Sequence, residues 1–287
     1  GGHLSGGDFH RTAPLSSPKL SHHRVSVNSR RLVAQMLKTP QIMLELVGKV
    51  MSSDLEGRIK TLARWMFEAK YLVVFTGAGI STESGLPDFR GPNGIWTRQA
   101  KGLPPKPRPF SSAEPNTGHM AIVELQKLGK LSFLISQNVD NLHLKSGIRP
   151  DLLAELHGNI TKLRCTRCQA QVDKSTGMST CSCGGRLVSS VVNFGQPLPR
   201  KKLADSFWHS QNCDLFLVAG SSLVVTPAAD MPRVALQSGA RLVIINSGET
   251  PFDRFAHLRF GEGIGEVLPP AVAELKELME ASKSVST

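Results

Sequence analysis

Long apolar runs are absent from this sequence of 287 residues, and none reaches the length that spans a bilayer. A secretory hydrophobic region is also missing ahead of its cysteines. Only five cysteines occur, and four of them lie within nineteen positions, from Cys165 to Cys183. Clustered cysteines in a chain without secretory features are more typical of metal ligands than of disulfides. We therefore expect an intracellular protein, in the cytoplasm in the first instance, with the nucleus and the organelles as open alternatives.

Acidic residues are scarce in the first fifty positions, which hold Asp8 and Glu45 against seven lysines and arginines. Seven minus two gives five of the chain's eleven excess positive charges. No Phe, Trp or Tyr lies between the first and the last of these cations to stack on nucleic-acid bases. We therefore interpret residues 1–52 as a basic, flexible, solvated extension. The alternative is a weak contact with nucleic acid through residues 1–50.

Short apolar runs alternate with helix-like stretches in the rest of the chain. Strands are predicted at 71–76, 131–135, 215–219 and 242–245, with helices at 118–128 and 228–237. Ser53 and Glu56 have the spacing of a capping box, which predicts that a further helix begins at Ser53. Buried strands that alternate with helices indicate a parallel sheet covered on both faces.

Residues 158–185 break this rhythm because they are polar and hold the four clustered cysteines. The sequence therefore predicts an α/β fold in which a Rossmann-like parallel sheet carries a smaller zinc-binding insertion domain. The predicted boundaries are 1–52 for the extension, 53–157 and 186–280 for the sheet domain with a loop module at 91–115, 158–185 for the zinc module and 281–287 for the tail.

A glycine turn follows the first predicted strand. Gly77, Ala78 and Gly79 stand where backbone N–H groups and a following helix start can approach a phosphate. The third glycine of the usual dinucleotide fingerprint is out of register. The turn by itself therefore leaves phosphate binding and a packing role equally open.

Longer segments carry a family resemblance. The turn continues as GAGISTESGLPDFRG over residues 77–91, and four segments follow in order: QNVD at 137–140, ELHG at 155–158, GSS at 220–222 and IN at 245–246. Together they resemble the sirtuin family over roughly residues 53–280. The resemblance implies an NAD-dependent protein-lysine deacylase (deacetylase), which transfers the acyl group of a lysine to ADP-ribose and releases nicotinamide.

The resemblance implies a role for each matching residue. His157 would be the base that activates a ribose hydroxyl, a task that suits an imidazole of near-neutral pKa. Asn138 and Asp140 would hold the carboxamide of nicotinamide. The implied cofactor-binding residues are Gly77, Ala78, Gly79, Thr82, Asp88, Phe89, Arg90, Trp96, Gln137, Gly220, Ser221, Ser222, Asn246, Gly248 and Ile264.

Two implied features lie outside the cofactor loops. Residues 91–97 resemble the Trp-bearing segment of class-four sirtuins, which leaves Trp96 either against the cofactor or as a loop anchor. Residues 191–199 resemble the stretch to which an acyl-lysine peptide adds as a strand, so substrate binding is expected at Val192, Asn193, Phe194 and Gly195. Asn193 and Gln196 replace a frequent Phe and Glu, and we expect these changes to alter the preference for flanking residues.

Four thiolates suit a closed, structural, tetrahedral zinc site. The expected ligands are Cys165, Cys168, Cys181 and Cys183, of which the second pair is Cys-x-Cys where Cys-x2-Cys is usual. The tighter spacing makes the usual knuckle geometry harder to form.

Two rival functions remain at this point. A protein mono-ADP-ribosyltransferase would share the cofactor site and differ in its acceptor, and the sequence does not separate the two. A non-catalytic NAD-binding module of chromatin or nucleic acid is the other rival. The intact set of His157, Asn138 and Asp140 argues against it.

Overall fold

This computed structural model describes residues 40–107 and 110–284, with side chains from Asp54 onward. Within the described ranges, residues 54–284 belong to one compact unit. The weak nucleic-acid contact predicted for residues 1–50 falls mostly outside the described residues and stays a prediction. No helix in the described ranges is long and apolar enough to cross a membrane.

The described chain contains seven α-helices and nine strands. The helices are α1 (Pro40–Glu68), α2 (Ile95–Ala100), α3 (Thr117–Lys127), α4 (Leu142–Ser146), α5 (Arg200–Asn212), α6 (Met231–Gln237) and α7 (Ile264–Ser284). The strands are β1 (Leu72–Thr76), β2 (Leu131–Ser136), β3 (Leu153–Glu155), β4 (Lys162–Cys165), β5 (Gln171–Asp173), β6 (Leu187–Ser189), β7 (Leu215–Ala219), β8 (Arg241–Ile245) and β9 (Leu258–Phe260).

Six strands form one parallel sheet in the order β3-β2-β1-β7-β8-β9. The chain builds outward from β1 to one side and then returns to continue from β7 on the other side. The strand order therefore reverses between β1 and β7, and ligands of open α/β sheets bind beyond the carboxyl ends of the strands at such a point. The predicted Rossmann-like parallel sheet is confirmed.

Apolar layers cover the sheet on both faces. Alternate residues of β1 point to opposite sides, so that Leu72 and Val74 pack into the layer formed with α1, α3 and α7. Val73 and Phe75 pack into the opposite layer, to which α5 and α6 contribute. Every residue of β1 and β7 is buried. These central strands therefore form a rigid base for the loops at their ends.

Two local predictions need correction. The first helix begins at Pro40, not at Ser53. Proline suits a first helical position, where the missing N–H has no intrahelical partner to lose, and this signal was the better guide. Strands β3 and β9 were not predicted, because three residues each are too few to show a periodic pattern.

The small sheet is antiparallel in the order β5-β4-β6 and lies within residues 162–189. It carries the four clustered cysteines on its strand ends and turns. Strand β3 of the large sheet ends at Glu155, so His157 stands on the short connection between the two sheets.

Candidate active site and cysteine cluster

A cavity of about 1000 Å³ opens at the carboxyl ends of the parallel strands. Its walls come from the loops that follow β1, β2, β3, β7 and β8, together with residues 191–198. It brings together most of the predicted site residues. Those in its lining are Gly77, Ala78, Gly79, Asp88, Phe89, Arg90, Trp96, Gln137, Asn138, Asp140, His157, Val192, Asn193, Phe194, Gly195, Gly220, Ser221, Ser222, Asn246 and Gly248.

Two predicted cofactor residues lie outside this lining. Thr82 is exposed, and its hydroxyl donates to the carbonyl of Gly79 at 2.8 Å. Ile264 is buried where α7 begins. Their cofactor roles stay predictions, and the cavity gives them no support.

The glycine turn packs directly against the loop after β7. Gly79 N–H donates to the carbonyl of Gly220 at 2.8 Å. A Cβ on Gly77 would lie 2.7 Å from the Gly220 oxygen, and one on Gly79 would lie 2.7 Å from the Gly220 Cα. Gly220 itself has a φ of 71°, in the left-handed region that favours glycine. These glycines therefore have a packing role, which brings two strand-end loops into contact at the floor of the cavity.

Asn138 and Asp140 share a buried hydroxyl. Ser81 Oγ donates to Asp140 Oδ2 at 2.7 Å and accepts from Asn138 Nδ2 at 3.2 Å. Asp140 Oδ1 accepts from the backbone N–H of Leu142 at 3.0 Å. Burial raises the pKa of the Asp140 carboxyl, while the hydrogen bonds from Ser81 and Leu142 lower it. The amide and the carboxylate are thus held in fixed positions before any ligand arrives.

Ser81 is a site residue that the sequence predictions missed. It lies within the matched run and is 2% exposed. Its hydroxyl bonds both Asn138 and Asp140, and Asp140 lies 59 positions further along the sequence than Ser81. The sequence feature that could have identified Ser81 is a polar residue that follows the glycine turn and the apolar Ile80.

His157 has a defined tautomer. Its Nδ1 lies 2.8 Å from the backbone oxygen of Gln137, and a carbonyl only accepts, so Nδ1 carries the hydrogen. The lone pair of the neutral ring is therefore on Nε2. Burial lowers the pKa of the imidazole below its usual value, although the hydrogen bond to Gln137 raises it. The ring is thus neutral at physiological pH and able to accept a proton.

Polar side chains tie the remaining loops together across the cavity. Ser221 Oγ donates to Gln137 Oε1 at 2.7 Å, which joins the loops after β7 and β2. Arg90 Nη1 donates to Ser222 Oγ at 3.3 Å. Asn246 Nδ2 donates to the carbonyl of Gly248 at 2.9 Å, which closes the loop after β8.

Three neighbouring aromatic rings line the cavity. The Trp96 ring lies 5.2 Å from that of Phe89 and 5.9 Å from that of Phe194. The Arg90 guanidinium lies over Trp96, 4.2 Å from the ring centroid. Phe194 is 77% exposed, so this contact leaves most of its surface in water. Trp96 lines the cavity and contacts Arg90 and Phe89 of the loop module, and its packing against the cofactor stays a prediction.

The four clustered cysteines meet in space. Their sulfurs all lie within 4.8 Å of one another, with 3.5 Å between Cys165 and Cys183 and 3.7 Å between Cys168 and Cys181. Tetrahedral zinc with bonds of about 2.3 Å places sulfurs about 3.8 Å apart. Hydrogen bonds from the backbone N–H groups of Cys168 and Arg167 lower the pKa of the Cys165 thiol, whereas the neighbouring thiols Cys168 and Cys165 raise the pKa of Cys183, so these sulfurs compete for negative charge. The cluster fits a structural zinc site.

The tight Cys-x-Cys spacing does not prevent this arrangement. Gly184 turns the chain with a φ of 82° directly after Cys183. A Cβ on Gly185 would lie 2.5 Å from the sulfur of Cys165. The two glycines let the second cysteine pair fold back against the first pair. The spacing of the cysteines alone does not indicate this, whereas the two glycines after Cys183 do.

Comparison with known proteins gives one consistent result. The Sir2 family model matches residues 77–112 and 105–227. The NAD-dependent protein deacetylase SRT1 of Oryza sativa subsp. indica is 45% identical over 71% of this chain and 45% of its own length. NAD-dependent protein deacetylase 1 of Bradyrhizobium diazoefficiens is 39% identical over 78% of this chain and 99% of its own length.

A solved structure of Sir2Af2 bound to a myristoylated histone peptide is 35% identical, with a TM-score of 0.60 over 79% of this chain and 99% of that chain. The chain thus spans less than half of the rice relative that it matches and nearly all of the bacterial one. The family match, the identity to the bacterial relative and the shared fold agree, and this chain belongs to the Sir2 family.

Proposed function

We propose that this chain is an NAD-dependent protein-lysine deacylase, which transfers the acyl group from lysine to ADP-ribose and releases nicotinamide. One observation carries the proposal. A single cavity contains the glycine turn, the Asn138–Asp140 pair, the free Nε2 of His157 and residues 191–198. Relatives that are 45% and 39% identical to this chain are named NAD-dependent protein deacetylases.

The residues in the cavity fit NAD. A volume of about 1000 Å³ can hold a dinucleotide and the end of a lysine side chain. When bound, NAD supplies an electrophilic ribose carbon and nicotinamide as the leaving group. Asp140 keeps acceptor capacity for the carboxamide N–H, since each carboxylate oxygen accepts one protein hydrogen bond and has a further lone pair.

Each catalytic group has one task in this proposal. Asn138 and Asp140 orient the leaving group, and because Ser81 already fixes them, little further ordering is needed on binding. His157 Nε2 takes the proton of a ribose hydroxyl and so makes that oxygen a better nucleophile. Phe89 and Trp96 line the cavity with apolar rings and limit the access of competing water.

The peptide-binding side of the cavity is formed by the exposed residues 193–197. Val192 N–H donates to the His157 carbonyl at 2.9 Å, which fixes the start of residues 191–198 beside the base. An extended peptide recognised mainly through its backbone would place its lysine in the cavity and be read little at other positions. The binding of a myristoylated histone peptide by a solved relative supports an acylated lysine as the substrate.

A peptide panel tests the proposal. Acetyl-, succinyl- and myristoyl-lysine peptides are incubated with NAD, and the products are identified by mass spectrometry. We expect release of nicotinamide that depends on the acylated peptide, together with O-acyl-ADP-ribose. ADP-ribose attached to protein would support the mono-ADP-ribosyltransferase instead. No release of nicotinamide, either with or without an acylated peptide, would refute both.

His157→Ala and His257→Ala provide the matched pair of variants. His257 is exposed and lies outside the cavity, so its loss should leave turnover unchanged. Removing His157 should lower kcat by at least about 100-fold, since a positioned general base contributes roughly that much. Wild-type turnover in His157→Ala would contradict the role of base.

A further inference from the structure

Two buried histidines behind the cavity have no step in the proposed reaction. His119 on α3 is 0% exposed and His143 on α4 is 2% exposed, and their ring centroids lie 5.0 Å apart. Each has one nitrogen without a hydrogen-bond partner, His119 Nε2 and His143 Nδ1. Among the described residues these are the only buried side-chain nitrogen or oxygen atoms left so, and such atoms call for an explanation.

His143 is connected to Asn138 through two hydroxyls. Its Nε2 lies 2.9 Å from Thr76 Oγ1, which donates to Ser136 Oγ at 3.0 Å. Ser136 Oγ in turn accepts the backbone N–H of Asn138 at 3.1 Å. Thr76 and Ser136 are both fully buried, so water does not compete for these bonds.

A second path of hydrogen bonds leads from Asn138 back to the residue before His143. Asn138 bonds Ser81, Ser81 bonds Asp140, and Asp140 accepts the N–H of Leu142, the residue before His143. The hydrogen bonds thus form a closed ring. Ser81, Asn138 and Asp140 of this ring line the cavity. The remaining members, which do not line it, are His143, Leu142, Thr76 and Ser136.

His119 connects the pair to the glycine turn. The backbone N–H of Asn116 donates to His119 Nδ1 at 3.3 Å. The side-chain amide of Asn116 donates to the Ile80 carbonyl at 2.7 Å and to Ser84 Oγ at 3.0 Å. Both acceptors belong to the 3-10 helix Ala78–Ser84, which also carries Ser81. The two imidazoles therefore stand between the glycine turn and the Asn138 strand end.

These bonds define the tautomer of His143. His119 Nδ1 lies 3.3 Å from the backbone N of Asn116 and 3.0 Å from its Oδ1, so either tautomer of this ring finds a partner in Asn116. The Thr76 hydroxyl donates to Ser136, so it accepts from His143 Nε2–H, and His143 Nδ1 keeps the lone pair. His143 Nδ1 and His119 Nε2 are the two ring nitrogens left without a partner. Burial lowers the pKa of His119 to about 4 and that of His143 well below its usual value, so both rings are neutral.

We propose that His143, in its Nε2–H tautomer, is a positioning residue for Asn138 and Asp140, and that the neutral ring of His119 packs beside it and supports it. The inference rests on the proposed function, because Asn138 and Asp140 are its leaving-group contacts. His143 touches no reacting atom. Its hydrogen bond to Thr76 orients the hydroxyl chain that holds the backbone of Asn138.

Two amide substitutions of His143 place the same side-chain NH2 group at different distances from Thr76. In His143→Gln the side-chain NH2 stands near the place of imidazole Nε2 and can donate to Thr76. In His143→Asn the same group is one bond shorter and cannot reach. We expect His143→Gln to keep kcat within about threefold and His143→Asn to lose about tenfold or more, as for one lost hydrogen bond of about 1.4 kcal/mol. The KM for the acyl peptide should stay unchanged in both.

Thr76→Val tests the hydrogen bond between His143 and Thr76 by changing the acceptor instead of the donor. It removes the hydroxyl with little change in shape, so it should lower kcat as His143→Asn does. The double variant with His143→Asn and Thr76→Val should have a kcat no lower than either single variant, because all three lose the same hydrogen-bond connection. Additive losses would contradict the proposed chain, as would equal kcat values for the Gln and Asn variants.

NMR of the 15N-labelled chain keeps this inference separable from the proposed function. The imidazole resonances of His143 should report a neutral Nε2–H ring, and the side-chain amide resonance of Asn138 should move in His143→Asn and stay in His143→Gln. These readouts need no turnover. A wild-type chain without acyl-dependent nicotinamide release refutes the function alone. A charged or Nδ1–H His143, or an Asn138 amide that is indifferent to both variants, refutes the positioning role.

Discussion

The carboxyl edge of the large sheet and the cysteine module hold their polar groups in opposite ways. At the sheet edge, Asn138, Asp140 and Ser81 bond one another and are fixed by protein atoms alone. In the module, four sulfurs point at a common centre and make only long contacts of 3.5 and 3.7 Å with each other. The comparison teaches that the first region is organised before its ligand binds, whereas the second depends on its ligand for its organisation.

Metal removal should produce the largest effect and separate the two regions. Structural zinc contributes on the order of 10 kcal/mol to small domains at neutral pH. We expect chelation, or Cys165→Ser, to abolish amide-exchange protection in residues 162–189 while the strands of the large sheet stay protected. Cys213→Ser is the matched control, since this buried cysteine lies apart from the cluster. Less than one zinc per native chain by elemental analysis, or protection that survives chelation, would contradict the account.

Ser81→Ala should produce the next largest effect, this time on catalysis. The substitution removes the hydroxyl that joins Asn138 to Asp140 and leaves the buried carboxylate short of one donor. Loss of one preorganised polar group lowers kcat by about 100-fold, while global stability should fall by only about 1–3 kcal/mol. Steady-state kinetics and denaturant unfolding measure both. Ser238→Ala, at an exposed serine outside the cavity, should leave kcat unchanged. A Ser81→Ala enzyme with normal kcat would show that the pair needs no such link.

Acid should destabilise the sheet edge through its histidines. His119 has a folded pKa of about 4 against an ordinary value of 6.5, so the unfolded chain binds more protons between these limits. Its contribution is therefore fully present above pH 6.5 and is lost as the pH falls toward 4. The loss approaches about 3 kcal/mol, at 1.36 kcal/mol for each pKa unit. Urea unfolding across this range measures it, and His119→Gln should flatten the curve. An equally steep curve in that variant would assign the acid sensitivity to other groups.

Trp96→Ala should have the smallest effect. The contacts of Trp96 with Arg90 and Phe89 contribute about 1 kcal/mol each at a partly exposed site. We expect the KM for NAD to rise several-fold with little change in the melting temperature, because the large sheet does not depend on this loop. Trp96→Phe keeps an aromatic face and should recover most of the loss. A large fall in stability would mean that the loop module is part of the core.

The sequence predicted those parts of the molecule whose signal is local. All four predicted strands of the large sheet are present because uninterrupted apolar runs such as Leu215–Ala219 have few alternatives to a buried parallel strand. The cysteine cluster could also be predicted, because its four residues lie close together in the sequence. The strand-end segments could be placed near one another because parallel strands end at one edge.

Long-range hydrogen bonds were beyond such reasoning. Ser81, Thr76 and Ser136 are ordinary small polar residues in the sequence, and their importance comes from partners that lie 57 to 67 positions away. His119 and His143 carry no recognisable spacing, since α3 and α4 bring them together only in the fold. The helix start at Ser53 was wrong because a local capping pattern was preferred to a proline thirteen positions earlier.

Binding of ADP-ribose tests the central claim most directly, because it requires the glycine turn and the strand ends to act on one ligand. Calorimetric titration should show saturable binding at one site per chain. Gly79→Val should abolish it, since a Cβ there meets the backbone of Gly220, while the variant's zinc content stays at one per chain. A wild-type chain that gives no heat of binding with ADP-ribose or NAD would contradict the account.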